Sequence, residues 1–136
     1  MRVVLDTNVL VSSLLNPEGI PGKIRKAIHA GVFELCLSQE LFREYEQTLK
    51  KRKVRRLLTK TDEEATLFLK ELFHSSHVVQ EPLAIERIVT ADPDDDIIIA
   101  TAFAAEAAAI ITGDSHLLQL DAIFPFSILS PARFAE

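Results

Sequence analysis

The sequence predicts an α/β fold around a parallel sheet, and three observations predict it. Short aliphatic or β-branched runs at residues 2–5, 32–37, 77–79, 108–112 and 126–129 alternate with helical stretches from end to end. Such alternation favours a parallel sheet covered by helices on both faces. The run at 2–5 is apolar at three successive positions, as in a strand buried on both sides. Two of the runs, at 2–5 and 108–112, are followed at once or within two residues by an aspartate, Asp6 and Asp114. In open α/β sheets ligands bind beyond the carboxyl ends of the strands.

The elements follow in order. Residues 7–15 continue the first strand as a helix, and the loop residues Asn16, Pro17, Gly19, Pro21 and Gly22 delay the next helix to 23–30. Gly31 stops that helix. After the strand at 32–37, Ser38 caps a helix whose Leu41, Phe42, Tyr45 and Leu49 form an apolar stripe. Thr61 and Glu64 make a capping box for a helix burying Leu67, Phe68, Leu72 and Phe73. A brief strand at 77–79 and an irregular stretch at 82–91 lead to an acidic helix start at Asp92. A strand at 108–112, a short helix at 115–120 and a strand at 126–129 follow. Ser130 and Pro131 open a terminal turn.

A length of 136 residues suits one domain, 1–136, with a real core. Cys36 is the lone cysteine, so the chain has no disulfide within itself, and a small buried hydrophobe is its expected role. No leader is expected ahead of the first strand, and the longest apolar run is too short for a bilayer, so the expected setting is the reducing cytoplasm. The net charge of -5 argues against a generic nucleic-acid binder. Yet residues 50–60 hold seven bases and no acid, leaving eight of the 15 bases among all 20 acids. Within that lobe Lys51, Arg52, Lys53, Arg55 and Arg56 are read either as a solvated helix end or as a rim tracking phosphates.

The acids carry the chemistry. Asp6 and Asp114 have a plain alternative as turn or cap residues, and neither alone decides anything. On adjacent parallel strands, however, the two would come within reach of a shared cation. Asp92 as N-cap, Pro93 as N1 and Asp95 as N3 obey ordinary helix-start rules. Three consecutive aspartates at 94–96 exceed what the helix dipole repays, since each gains only a few tenths of a kcal/mol there and they repel one another. Glu44 follows the inner face of its helix, where it wants a cation or a basic partner. Asp6, Glu44, one of Asp94, Asp95 and Asp96, and Asp114 would form an oxygen-only set suited to Mg²⁺ or Mn²⁺ rather than Zn²⁺. His29, His74, His77 and His116 lack metal-ligand spacing, and no phosphate-cradling glycine motif is present. The set points to metal-assisted hydrolysis of a phosphate ester.

In order, VVLDTNVLVSSLL, LSQELFREYEQTL, DPDDDIIIATAFAAEAAAIITGD and HLLQL resemble the PIN-domain ribonucleases, nearest to the VapC-like toxins of toxin–antitoxin pairs. The resemblance covers essentially the whole chain. It implies a three-layer α/β/α sandwich with a central parallel sheet, and a divalent-metal endoribonuclease using Mg²⁺ or Mn²⁺. Its acids fall on Asp6, Glu44, Asp95 and Asp114, with Asp96 competing for the third place as a metal ligand. Asn8 falls on a small polar position that orients the first acid. The resemblance also implies an RNA substrate, an antitoxin partner and a homodimer.

Two rival readings stand beside it. One is a PIN module whose main act is binding a partner protein rather than cutting RNA. Leu14, Leu15 and Ile20 around the first loop are read as core rather than as its docking surface. The other is a phosphatase of the haloacid-dehalogenase type, which needs an aspartate where this chain has Asn8.

Overall fold

The computed structural model describes residues 1–58, 60–81, 83 and 92–135. Its centre is β1 (Arg2–Leu5), whose Val3, Val4 and Leu5 are shut off from solvent. A strand apolar on both faces needs cover on both, and it takes the middle of a five-stranded, all-parallel sheet. The others are β2 (Glu34–Leu37), β3 (His77–Val78), β4 (Ala109–Ile111) and β5 (Ser127–Leu129), in the order β3-β2-β1-β4-β5. With its helices the sheet makes the three-layer α/β/α sandwich expected from sequence.

The helices are α1 (Thr7–Leu15), α2 (Ile20–His29), α3 (Gln39–Leu49), α4 (Arg52–Leu58), α5 (Asp62–Ser75), α6 (Pro93–Ala105), α7 (Ser115–Leu118) and α8 (Pro131–Phe134). The strand order reverses once. The chain steps from β1 to β2 and β3 on one side, then crosses to β4 and β5 on the other. Loops leaving β1 and β4 therefore diverge, which opens a crevice at the carboxyl end of that pair.

Several expectations are revised. Helix α2 starts at Ile20 rather than residue 23, because a proline is tolerated in a first turn that leaves its amides unpaired anyway. Gly22 is needed there by close approach, since a Cβ would lie 2.1 Å from the Pro17 carbonyl oxygen. The basic run is not a frayed end of α3. It breaks at Lys50 and forms α4, docked by the inward-turned Arg55, which pairs with Asp62 at the start of α5. The buried stripe of α5 is centred on Ala65 and Leu69, with Phe68 and Leu72 against the core and Leu67 58% exposed. The stripe is thus rotated from the one expected: small Ala65 packs close, and bulky Leu67 faces outward. Strand ends retreat by one or two residues, with Val32 left exposed ahead of β2. The stretch 82–91, Leu83 apart, lies outside the described residues. Cys36 is core, and burial pushes its thiol up to about 11, which makes it unreactive.

Two buried polar contacts lock helices to the carboxyl edge of the sheet. The Tyr45 hydroxyl of α3 donates to the Leu5 carbonyl at 2.6 Å, one residue before Asp6. Ser38, capping α3, accepts from the Leu41 amide at 3.1 Å and shares a 2.8 Å hydrogen bond with Thr101 of α6. Thr101 donates to the Ile97 carbonyl at 2.7 Å, so the Ser38 hydroxyl is the donor between them. Tyr45→Phe leaves the Leu5 carbonyl without this bond in a dry site. The expected loss is about 1–3 kcal/mol in urea unfolding with an unchanged m-value.

Candidate metal and nuclease site

Parallel pairing puts Val3 beside Ala109, Val4 beside Ile110 and Leu5 beside Ile111. One step further, Asp6 leaves β1 level with Thr112. The Asp6 amide donates to the Ile111 carbonyl at 3.0 Å, which keeps this last rung closed. The Thr112 hydroxyl donates to Asp6 Oδ2 at 2.6 Å and accepts from the Asp114 amide at 3.0 Å. A fully buried threonine thus couples both strand-end acids. Asp114 in turn caps α7, its Oδ1 accepting from the His116 amide at 2.8 Å.

Asp6 is buried at the head of α1 without capping it through its side chain. Its pKa is raised by burial, with the Thr112 hydrogen bond opposing and Asp114 adding repulsion. At the start of α6, Asp92 Oδ1 accepts from the Asp94 amide at 2.9 Å, so Asp92 serves as N-cap as its position predicts. Asp95 points inward and is 7% exposed. Burial, then Asp114, Asp92 and Asp6, push its carboxyl up to about 6, while His116 opposes. Asp96 is half-buried on another side of the first turn.

Glu44 comes in from α3, one residue before the Tyr45 anchor. Burial, then the charges of Asp94 and Asp6, push it up to about 7. The Thr7 hydroxyl lies near and opposes the rise without reaching hydrogen-bond geometry, for Thr7 Oγ1 and Glu44 Oε2 are both buried and unpartnered. The basic-partner alternative for Glu44 finds no support: no ion pair involves it among the described residues.

Acids from four different segments therefore converge on the crevice, with Asp6 within charge range of each of Glu44, Asp95 and Asp114. Among the described residues no three of them close into a group that would hold an ion as they stand. Their coupling acts over longer range than direct coordination. The fit to a divalent cation lies in the donor chemistry, all hard oxygen, and in the orphaned Glu44 Oε2.

Other predicted residues fall elsewhere. Asn8 is exposed in the first turn of α1. Lys51, Arg52, Lys53 and Arg56 are exposed on or beside α4, but Arg55 is mostly buried, paired with Asp62 and donating to the Lys60 carbonyl at 3.4 Å. Leu14 packs on the core, whereas Leu15 and Ile20 are about 40% exposed and are not core. Sequence reasoning passed over Thr112 and Thr7. The signal for Thr112 was a hydroxyl at the mouth of an otherwise aliphatic strand.

Fold and crevice define a parallel-sheet α/β/α protein with a carboxylate-lined switch point. The family model described as PIN domain matches residues 2–116, and the chain belongs to that family. PIN domains are in general nucleases. An uncharacterised protein of Methanocaldococcus jannaschii is 35% identical over 120 residues, 88% of this chain and 75% of that protein. Among solved structures, the crystal structure of VapBC2 from Rickettsia felis bound to a DNA fragment from their promoter is similar in fold. The TM-score is 0.57 at 15% identity, covering 96% of this chain and 98% of that one.

The raised carboxyls predict a pH effect on the metal-free protein. Between its ordinary value of 4.5 and about 7, folded Glu44 holds a proton that the unfolded chain has released. Its contribution to stability is full below pH 4.5 and is lost as pH rises through about 7. Glu44→Gln removes that loss. After allowance for its partial exposure, a gain of about 1 kcal/mol at pH 8, roughly 3 °C in Tm, is expected. No gain is expected near pH 4.5. Thermal unfolding in EDTA at the two pH values checks it.

Proposed function

We propose that this chain is a divalent-metal-dependent endoribonuclease, the toxin member of a toxin–antitoxin pair acting in the cytoplasm. The observation that carries the reading is the convergence of acids from four segments at the switch point, where Asp6 lies within charge range of Glu44, Asp95 and Asp114 and none of the four has an ion pair among the described residues. Such an arrangement costs stability, and a protein that keeps it has a use for the charge. These four are the residues that would hold Mg²⁺ or Mn²⁺. When bound, the ion would activate a water and stabilise charge developing on the phosphate.

The chain's own residues supply placement. Thr112 fixes Asp6 and Asp114 relative to each other, and Tyr45 brings α3 and Glu44 against the end of β1. Asn8, exposed two residues after Asp6, is given the orienting role by the family resemblance alone. Lys51, Arg52, Lys53 and Arg56, exposed around α4, suit a phosphate-tracking surface that draws an acidic protein to RNA. Arg55 is assigned instead to holding α4 on α5.

The partner reading has its own support. A similar fold occurs in a VapBC assembly on promoter DNA. Leu15 and Ile20 expose apolar surface at the α1–α2 turn. A PIN chain that works with an antitoxin would be both enzyme and binding module. A homodimer belongs to the same reading. The phosphatase alternative loses its ground with membership of the PIN family.

The deciding experiment is cleavage of a mixed-sequence single-stranded RNA with Mg²⁺ or Mn²⁺, with EDTA and Asp6→Asn as controls. Metal-dependent cutting that Asp6→Asn abolishes in a folded protein is the expected result. Equal cutting by that variant would refute the assignment. For the basic surface, charge reversal at Arg52 and Arg56 should flatten the dependence of log K for RNA on log salt by roughly one to two units. The same reversal at Arg55 should instead cost stability.

A further inference from the structure

Two side-chain oxygens beside the acids are buried without a hydrogen bond, Thr7 Oγ1 and Glu44 Oε2. Thr7 is 5% exposed and opens α1 directly after Asp6. A hydroxyl has one hydrogen to donate, and an ionised carboxylate only accepts, so the two orphans are chemically complementary. Leaving either unpaired in a dry place is unfavourable. Neighbouring orphans of opposite type mark a contact that a small shift of the Glu44 side chain, or one bridging water, completes.

Glu44 needs an anchor. It projects from α3 partly open to solvent, faces the charges of Asp94 and Asp6, and has no ion pair among the described residues. Electrostatics alone would turn it outward, away from Asp6. Thr7 has the opposite character. It sits on the helix that follows β1, so its position is set by the same strand that places Asp6.

We propose that Thr7 is a positioning residue whose hydroxyl holds the Glu44 carboxylate towards Asp6, so that the two acids meet one cation together. The inference rests on the reading of the acids as a divalent-metal site. It asks only for a hydroxyl. Serine at this position would serve, while valine, with the same shape and no donor, would not.

The test is calorimetric titration of the whole chain with Mn²⁺, with thermal unfolding in EDTA alongside. The proteins are wild type, Thr7→Val, Thr7→Ser, Asp6→Asn, Glu44→Gln and the double variant Thr7→Val/Glu44→Gln. Thr7→Val should bind Mn²⁺ about tenfold more weakly or worse, the range found when a residue orienting a ligand is lost. Thr7→Ser should bind within about twofold of wild type. With Glu44→Gln already present, Thr7→Val should change affinity little, because the residue it positions is gone. Metal-free Thr7→Val should still unfold cooperatively, with its Tm lowered by no more than the loss of one hydrogen bond allows.

Wild-type affinity in Thr7→Val, equal losses in Thr7→Val and Thr7→Ser, or losses that add to those of Glu44→Gln would each overturn the role. If Thr7→Val does not fold, Thr7→Ala set against Thr7→Ser decides by the same criteria. Mn²⁺ binding that is absent in wild type, or that survives Asp6→Asn, removes the metal reading and this role with it. Binding lost in Asp6→Asn but indifferent to Thr7→Val overturns only the positioning role.

Discussion

The pairing of β1 with β4 is the constraint on which the crevice depends. These strands are far apart in sequence and adjacent in the sheet, at the point where the strand order reverses. Their register brings Asp6 level with Thr112, and the Thr112 hydroxyl then ties the Asp6 carboxylate to the turn that carries Asp114. A slip of one residue would turn Thr112 to the other face and break its hydrogen bond to Asp6. The aliphatic faces of β1 and β4 oppose that slip, because every residue moved would trade a packed site for another shape. Core packing and acid placement are thus one problem with one solution.

The two remaining acids arrive on helices, and each helix is pinned close to the acid it carries. Tyr45 is adjacent to Glu44 and fastens α3 to the end of β1. Thr101 lies on α6 after Asp95 and meets Ser38, the cap of α3. Buried hydrogen bonds of this kind allow little rotation, since breaking them strands a polar group in the core. Rigid helices therefore deliver acids that repel one another. Burial is the main cause that raises the pKa values of Asp6, Glu44 and Asp95, and repulsion from neighbouring acids adds to it, a cost that the packing of the core withstands. Bases are concentrated elsewhere, around α4, so the chain separates an acidic crevice from a cationic lobe.

Local rules carried most of the element assignment. The caps at Ser38, Asp92 and Ser130 and the capping box of Thr61 and Glu64 all form as their side chains dictate. The misses lie where a distant contact outweighs local preference. Residues 50–60 allowed either a solvated end or a phosphate-tracking rim, and neither reading foresaw a separate helix α4 with Arg55 turned to Asp62. Leu67 looked like core, but α5 meets its neighbours through small Ala65 and through Leu69. Asp94, Asp95 and Asp96 were equivalent as letters. Only the direction of the first turn of α6 sends Asp95 inward.

By itself the sequence determined the fold class, the strand-end location of Asp6 and Asp114, and the oxygen-only character of the acid set. Those properties follow from the order of apolar and acidic residues along the chain, which short-range rules can read. Tertiary structure decided which side chains face one another: Thr112 between two acids, Thr7 beside Glu44, and Arg55 turned away from solvent. Such choices depend on strand order and helix rotation, which arise when remote segments pack to fill one volume, and no local pattern encodes them.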